Sequence, residues 1–420
     1  MERSLLHPLS PKGKLIHWGR EGLQATNRLI HEACQAQQRQ QQLGGQSSSD
    51  CNFILCDEIL RLAFTPQQEQ QLKATASSLP DLCTWLDGLQ ASELLHVRAK
   101  QQSPPPQPLQ LSSSSLLSSE PVKSNQDTDA PPPSVPRGAL ILSNGCKTIH
   151  VPSYLQSLWL ACQQLFTTHD EKETLSGGTA TATWLCIQDD SREAWKQRLS
   201  QFDTVVLAAG SGLFESTTAA TTSRADEDCH CLLSRKNLGV QLVRGQSLIL
   251  RTSNDDNGDT QPATTPWKRH ALLNGKYVSS LPQKDLVLVG ATHEFQSTSF
   301  SQSQVLADLK SRTYEMIPDL WKDMEDENGN VSLEAVTVGT RVQTPRGAHG
   351  RRPIIGKLPN HTSGDENGQI HPNTWIFTGL SSRGLIHHAL YGEILARAIL
   401  ENNEELIVQR DMELLWWKRH

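Results

Sequence analysis

The stretch from Phe377 to Ile399, FTGLSSRGLIHHALYGEILARAI, places a glycine-containing turn between a short apolar strand and an amphipathic helix. Gly379 and Gly384 allow the backbone to approach a ligand closely. A helix that begins near Leu385 directs its free N–H groups and a partial positive charge toward the same point. A phosphate or a flat, electron-rich group suits this position. An ordinary helix start without a ligand explains the turn equally well.

Two other patterns suggest chemistry but lack a required residue. Ser381 lies between strand and helix like the nucleophile of a serine hydrolase, but the elbow G-x-S-x-G needs a glycine where Arg383 stands. Gly210 and Gly212 follow the apolar run FDTVVLAAG, but Glu215 occupies the place of the third small residue of a dinucleotide fingerprint. The run still fits a strand that ends beside a bound nucleotide.

The elements that would position the turn follow a mixed α/β pattern. Apolar residues at helical spacing predict helices in GLQATNRLIHEACQ, from Gly22, and in YLQSLWLACQQLF, from Tyr154. The compact runs FDTVVLAAG and NTWIFTGL predict buried strands, the first of them parallel. GVQLVRGQSLIL, HALLNGKYVSSL and DLVLVGATHEF predict strands of a more solvated, antiparallel sheet. The sequence thus predicts a nucleotide-binding α/β layer interleaved with an antiparallel β layer.

Long polar segments interrupt the predicted helices and strands. Hydrophobic residues make up only 36% of the 420 residues. The Gln/Ser-rich residues 35–49 and the Pro/Ser-rich residues 101–134 bury too little apolar surface to offset the entropy lost on ordering. We interpret them, together with the runs STTAATTSRADED and TSNDDNGDTQPATTP, as flexible insertions.

Charge and cysteine usage argue against several classes of protein. The net charge of −6 gives no general attraction to nucleic acid or an anionic membrane. No apolar run reaches the ~20 residues that a membrane-spanning helix needs, and the first residues do not resemble a secretory signal. Nine scattered cysteines fit a reducing compartment better than a disulfide framework. We expect a cytoplasmic protein, with an organelle such as a plastid as the alternative, and a solvated loop rather than a zinc site at Cys229-His230-Cys231.

Five segments resemble, in the expected order, the D-amino-acid-oxidase-like (DAO) family of FAD-dependent oxidoreductases. The branch that contains glycine oxidase and the oxidase half of the tRNA methylaminomethyluridine-forming enzyme is the most similar. The segments are LLHPLSPKGKL from Leu5, FDTVVLAAG, LVRGQSLIL with LVGATHEF, VGTRVQTPRGAHGRRPIIGKLP from Val338, and GLSSRGLIHHALYGE from Gly379. Each motif alone is modest, but five in order are fairly specific.

The resemblance implies an α/β (α+β) fold. An incomplete Rossmann-like layer that binds FAD or NAD(P) would be interleaved with an antiparallel β-sheet substrate domain, and disordered insertions would interrupt both. The implied division is residues 1–35, 200–215 and 338–405 for the FAD-binding layer, 50–100, 138–199 and 236–337 for the substrate-binding part, and 101–137 for a disordered linker.

Two departures from the family pattern bear on function. The family begins with a strand, G-x-G-x-x-G, a helix and a second strand, which hold the ADP half of FAD, and this sequence starts after that unit. Either the sequence is incomplete, or the chain is a remnant that cannot keep FAD. The family's R-P-x-T-x-D-G pattern here reads R-V-Q-T-P-R-G, with Val342 in place of proline, although Pro353, Ile355 and Gly356 remain.

By resemblance, the chain is expected to oxidise the C–N bond of a small amine or amino acid by hydride transfer to FAD. The flavin carries out this chemistry, so no catalytic side chain and no metal are expected. The alternative is a truncated, non-catalytic remnant or interaction scaffold of the same fold. A tRNA-modifying role is a weaker option, because neither a methyltransferase half nor a basic surface is visible, and no nucleic-acid or membrane partner is expected.

The resemblance also implies site residues. The expected cofactor-binding residues are Leu5, Leu6, His7, Pro8, Ala209, Gly210, Gly379, Ser382, Arg383, Gly384 and Leu385. Arg341 matches the family's arginine and could pair bidentately with a substrate carboxylate, although a structural arginine fits as well. His293 could line the substrate side, although an ordinary position at the end of a sheet is the simpler explanation. His387 and His388 are expected to pack or to face solvent.

Overall fold

The structure, a computed structural model, describes most of the chain. The described residues are 3–44, 51–95, 135–170, 183, 197–214, 235, 238–252, 270–283, 285–295, 300–325, 331–347, 350–358 and 373–418. The cluster at 229–231, the two short polar runs apart from residue 252, and residues 101–134 of the predicted linker lie outside them.

Helices and runs of strands are interspersed along the described chain. The strands are β1 (Arg3–Leu6), β2 (Ile54–Cys56), β3 (Ile59–Ala63), β4 (Cys83–Asp87), β5 (Gly138–Leu142), β6 (Lys147–His150), β7 (Val205–Leu207), β8 (Gln241–Arg251), β9 (Ala271–Asn274), β10 (Lys276–Ser280), β11 (Leu286–Gly290), β12 (Leu333–Gln343), β13 (Arg346–Gly347), β14 (Gly350–Arg351), β15 (Ile354–Lys357) and β16 (Thr374–Thr378). The helices are α1 (Gly19–Leu43), α2 (Pro66–Ser78), α3 (Gly88–Leu94), α4 (Val151–Asp170), α5 (Gln302–Thr313), α6 (Pro318–Met324), α7 (Gly384–Leu400) and α8 (Glu405–Arg410), with 3-10 helices at Gly210–Leu213, Ser381–Arg383 and Trp416–Lys418.

The largest sheet has eight strands in the order β12-β8-β11-β10-β9-β3-β5-β4. Its pairs are antiparallel except for β3 with β9. The predicted antiparallel sheet is therefore confirmed for β8 to β11. One face packs on α5 and α6 through a core that includes Leu248, Val289 and the fully buried Trp321. The opposite face is left to line a cavity.

One row of paired residues crosses this sheet and sets which side chains share the cavity face. Residues directly opposite each other on neighbouring strands point to the same face. The row consists, from β12 to β3, of Thr337, Ser247, Gly290, Tyr277, Leu273 and Arg61. Along β12 the residues two and four positions beyond Thr337 are Gly339 and Arg341, so Arg341 belongs to the same face.

A three-stranded sheet leads into α7. Strand β16 pairs antiparallel with β15 and parallel with β7, which confirms the prediction of a buried parallel strand in FDTVVLAAG. Strand β16 leads through the glycine-containing turn into α7. The chain's last segment packs on the same sheet, because the indole N–H groups of Trp416 and Trp417 donate to the carbonyls of Pro353 and Ile355 at 3.1 and 3.0 Å.

Helices α1, α4 and α7 pack together beside the sheet β1-β6-β2. This small sheet joins residues from both parts of the predicted domain division, which stays a prediction. The predicted flexible insertion at 35–49 is wrong for residues 35–43, which continue α1. Glutamine is a good helix former, and Ala36 and Gln37 are buried where the Gln164 side chain of α4 donates to the Ala36 carbonyl at 2.9 Å. Packing on α4 therefore stabilises a segment that lacks a strong apolar pattern.

The cysteines differ from the expected set of free thiols. Cys34 in α1 and Cys51 just before β2 form a disulfide, with their Cα atoms 5.5 Å apart. Seventeen residues separate the two positions in sequence, and only the return of the chain toward α1 brings them together. In the described part of the chain, no helix is long and apolar enough to cross a membrane.

Candidate active site

A cavity of about 800 Å³ lies between the large sheet, the loop after β1 and the start of α7. The sheet contributes the row that includes Ser247 and Tyr277, together with Arg341. Strand β1 contributes Leu5, the loop after it contributes His7, and the turn with the start of α7 contributes the residues from Leu380 to Ile386. The turn and the LLHPLS loop, which are distant in sequence, thus face the same space, as the resemblance implies.

The turn before α7 meets the cavity at Gly384. A Cβ atom built on Gly384 has no heavy atom within 4 Å, so this side of the helix start is open. The N-cap residue, Arg383, has no side-chain acceptor and makes no cap, which leaves the first N–H groups of α7 without that partner. Gly379 has a different role, because its φ of +76° and the Thr344 methyl, 2.8 Å from a built Cβ, require glycine for packing. The helix start is therefore accessible to an electron-rich ligand.

His7 presents a neutral imidazole to the cavity. Its Nδ1 accepts the backbone N–H of Leu9 at 3.3 Å, so the ring proton is on Nε2. Burial, with the positive charge of Arg61 as a smaller cause, lowers the pKa of His7 to about 4. At neutral pH the His7 ring is therefore a hydrogen-bond donor without charge.

Arg341 is a half-buried cation for which none of the described residues supplies a counter-ion. Its Nη2 atom is buried and has no hydrogen-bond partner, and in the described part of the chain no carboxylate lies within 4.0 Å of the guanidinium. Burial lowers the pKa of Arg341, but a guanidinium stays charged at neutral pH. Burial, followed by the charges of Arg341 and Lys276, also lowers the pKa of His293, which keeps that ring neutral. This wall of the cavity suits a carboxylate.

Tyr277 and Ser247 complete that wall. The Tyr277 hydroxyl of β10 lies 3.2 Å from the Oγ of Ser247, which is on β8, two strands away in the sheet. Both side chains line the cavity. The sequence did not single out either residue. The alternation of side chains along a strand shows which residues share a face of that strand. It does not show which face of one strand lies on the same side of the sheet as Arg341.

A hydrogen-bonded pair joins α4 and α7 at the opposite wall. The Nδ1–H of His388 donates to the Leu385 carbonyl at 2.9 Å, so Nε2 is free to accept the Tyr154 hydroxyl at 3.0 Å. Burial lowers the pKa of His388 and raises that of Tyr154, so both are neutral. His387, on the other side of α7, is buried and donates to the His17 carbonyl at 3.1 Å. Both histidines support the helix start rather than facing bulk solvent.

The predicted site residues divide into two groups. Those that line the cavity are Leu5, His7, His293, Arg341, Ser382, Arg383, Gly384 and Leu385. Those outside the lining are Leu6, Pro8, Ala209, Gly210 and Gly379. Leu6 is fully buried in the core, and Ala209 and Gly210 begin a four-residue 3-10 helix after β7. The assignment of all of these residues to cofactor or substrate stays a prediction.

The charged side chains of the described lining are all positive. Three arginines, Arg61, Arg341 and Arg383, line the cavity, while the described lining contains neither aspartate nor glutamate. Burial lowers the pKa of each guanidinium, so each would gain from an anionic partner. A cavity with three such cations and an open helix N-terminus is suited to anionic ligands.

The fold and this cavity define a mixed α/β protein with a cation-lined cavity between a sheet face and a helix start. The chain belongs to the DAO family of FAD dependent oxidoreductases, whose family model matches residues 12–398. FAD is the cofactor of this family, and the open start of α7 fits a flavin. The predicted family, fold class and cofactor are confirmed.

The chain is also similar to several solved structures. The glycine oxidase of Geobacillus kaustophilus has a TM-score of 0.50 and 16% identity, over 94% of this chain and 80% of that one. The glycine oxidase of Bacillus cereus ATCC 14579 has a TM-score of 0.48 and 12% identity, over 91% and 82%. The iminodiacetate oxidase of Chelativorans sp. BNC1 has a TM-score of 0.47 and 15% identity, over 95% and 85%. No curated protein sequence matches the chain significantly.

Proposed function

We propose that this chain oxidises the C–N bond of a small amine or amino acid that carries a carboxylate. One observation carries the proposal: the open start of α7 and the unpartnered Nη2 of Arg341 face one cavity. A redox ring at the first and a substrate carboxylate at the second would lie in the same enclosed space. FAD supplies the chemistry when bound, because an oxidised flavin accepts a hydride from a carbon next to an amine.

The chain's own residues supply the orientation. Arg341 would pair with the substrate carboxylate, and the hydroxyl groups of Tyr277 and Ser247 lie on the same wall to fix its position. The first N–H groups of α7, near Gly384, would hold the electron-rich edge of the flavin and stabilise negative charge there.

The lining also favours the reactive form of an amine. An amine must be unprotonated to provide its electron pair, and nearby positive charges lower the pKa of an ammonium group. Arg341 supplies such a charge, and the described lining has no carboxylate that would stabilise an ammonium ion. His293 is held neutral beside Arg341, so it adds no second charge. A neutral ring could instead accept a hydrogen bond from the substrate nitrogen.

Uptake of FAD by the full chain tests the proposal. Gly384→Ala adds one methyl group that meets no protein atom, so the fold should be kept while the methyl occupies the space next to the helix start. We expect FAD affinity to fall at least about tenfold, roughly the loss of one charge-assisted contact. Titration of FAD against the protein, followed by flavin fluorescence, measures this affinity.

The matched control is Gly392→Ala, eight residues later on the same helix. A Cβ there also has no heavy atom within 4 Å, and the position is not part of the cavity lining. FAD affinity should be unchanged in this variant. Equal affinity in both variants would place the flavin elsewhere. A purified full chain that remains colourless with excess FAD would support the alternative, a non-catalytic scaffold of the same fold.

A further inference from the structure

A second cationic pole faces the cavity at Arg61 of β3. Arg61 pairs with Leu273 of β9, and Leu273 pairs with Tyr277 of β10, so the three side chains point to the same face. Two strand spacings, roughly 10 Å, separate the backbones at Tyr277 and Arg61, and three further spacings separate Tyr277 from β12, which carries Arg341. The first pole of this face is Arg341 with Tyr277, and the second is Arg61.

Arg61 keeps donors for a ligand. Its Nη1 donates to the Ser10 carbonyl at 2.9 Å and its Nη2 donates to the Pro11 carbonyl. A guanidinium has five N–H donors, so these two bonds leave three. In the described part of the chain no carboxylate lies within 4.0 Å of Arg61, although its guanidinium is buried enough to lower its pKa. The loop carbonyls orient Arg61 without neutralising it.

Neighbouring groups reinforce this pole. The charge of Arg61 reaches His7, whose Nε2–H is a second donor in the cavity. Next to Arg61 the lining includes two aliphatic side chains, Leu273 in the row itself and Leu72 of α2. An aliphatic surface thus lies beside the second cation, between it and Tyr277.

We propose that the substrate is an amino acid with a second carboxylate, joined to the first through an aliphatic spacer and held by Arg61. This deepens the proposed function and rests on it, because Arg341 must hold the first carboxylate. A second carboxylate at Arg61 would supply this half-buried cation with the counter-ion that none of the described residues provides. The aliphatic spacer would pack on Leu273, where a polar chain would lose hydrogen bonds to water.

Binding of substrate-like acids to the FAD-loaded full chain tests the proposal without turnover. The probes are succinate, adipate and suberate, each compared with the monocarboxylate of the same carbon number, butyrate, hexanoate or octanoate. Calorimetry gives a ratio of affinities, dicarboxylate over monocarboxylate, for each protein. In the wild type we expect the dicarboxylate to bind at least about ten times more tightly than the monocarboxylate in one of the three pairs. This is the gain in affinity expected from one additional hydrogen bond to a charged group.

Three variants separate Arg61 from general charge. Arg61→Gln should reduce the ratio to near one, and Arg61→Lys should keep part of it, since it keeps the charge but loses the planar fork. Arg28→Gln removes an arginine that is two-thirds exposed and paired with Glu393, so the ratio should match that of the wild type.

The outcomes distinguish this proposal from the proposed function. A wild-type ratio near one for all three pairs overturns the role of Arg61, and so does a ratio that survives Arg61→Gln. The wild-type ratio decides the matter even if Arg61→Gln fails to fold. If no monocarboxylate binds, or if FAD is not taken up, the failure belongs to the Arg341 clamp or to the flavin site.

Discussion

Gly22 of α1 lies directly against the carbonyl oxygen of Ile386 in the first turn of α7. A Cβ atom at position 22 would overlap that oxygen and lie 3.2 Å from the His387 ring. One turn further along α1, the Thr26 hydroxyl donates to the Leu385 carbonyl at 3.1 Å. Helix α1 thus sets the position of the helix start that faces the cavity.

Gly22→Ala should therefore disturb the site through the backbone. Because the contacted atom is a main-chain oxygen, α7 must shift, and overpacking of this kind costs about 1–3 kcal/mol. We expect a lower free energy of unfolding together with weaker FAD binding, measured by urea denaturation and by titration. Gly392→Ala, in open space, should lower neither. If Gly22→Ala matched Gly392→Ala in both measurements, this contact would not position α7.

Removal of the Arg341 guanidinium should weaken carboxylate ligands selectively. Arg341→Ala should reduce the affinity for a small carboxylate by about 10- to 100-fold, the value of one hydrogen bond to a charged group. Arg341→Lys should lie between, because an ammonium cannot pair bidentately. Calorimetry on the FAD-loaded protein measures this effect, with the uncharged amide of the same acid for comparison. Arg397→Ala, three-quarters exposed on α7, is the control. Unchanged carboxylate affinity in Arg341→Ala would refute the clamp.

A buried ion-pair network should dominate the stability of the C-terminal segment. Arg352, 7% exposed, donates to Asp411 at 2.7 Å and to Glu413 at 3.0 Å, and Asp411 also accepts the Trp18 indole N–H at 3.2 Å. Arg352→Leu leaves the Asp411 carboxylate buried and without its cation, so we expect a loss of about 3–5 kcal/mol in unfolding free energy.

The double variant Arg352→Leu/Asp411→Asn should recover part of that loss, because it also removes the uncompensated charge. Arg251→Leu breaks a pair in which the arginine is half exposed and should cost less than about 1 kcal/mol. Urea denaturation at neutral pH measures all three. Equal losses in Arg352→Leu and Arg251→Leu would contradict the buried character of the network.

Stability should rise with pH because of His387. Burial, with Arg383 as a smaller cause, lowers the pKa of His387 in the folded state to about 3, from 6.5 in the unfolded chain. Between these values the unfolded state binds the extra proton, so the contribution is full above the unfolded pKa and is lost as pH falls toward the folded pKa. One such proton gives a slope of about 1.4 kcal/mol per pH unit inside this window.

His387→Gln can still donate to the His17 carbonyl but does not titrate. The slope of unfolding free energy between about pH 4 and 6 should therefore decrease by roughly one proton in this variant. His31→Gln, on the exposed side of α1, is the control with the same change of residue type. Urea denaturation across the pH series gives the slopes. An unchanged slope in His387→Gln would show that this histidine is not neutral when folded.

Local pattern in the sequence was sufficient for the elements around the site. The apolar spacing predicted α1, α4 and the strands β7, β8 and β16, and the glycines marked the turn into α7. These signals are local, because burial of one face imposes a period on the adjacent residues. The motifs of the resemblance added the family and FAD, which the family match confirms.

The tertiary structure decided what local pattern cannot express. The Gln-rich end of α1 is helical because α4 covers it, and Cys34 meets Cys51 because the chain returns to α1. Arg61, Tyr277 and Arg341 share one face through the register of strands that are far apart in sequence. The sequence determined the chemical type of these side chains. Their position around one cavity depends on the pairing of strands that are distant in sequence, and local residue preferences do not determine that pairing.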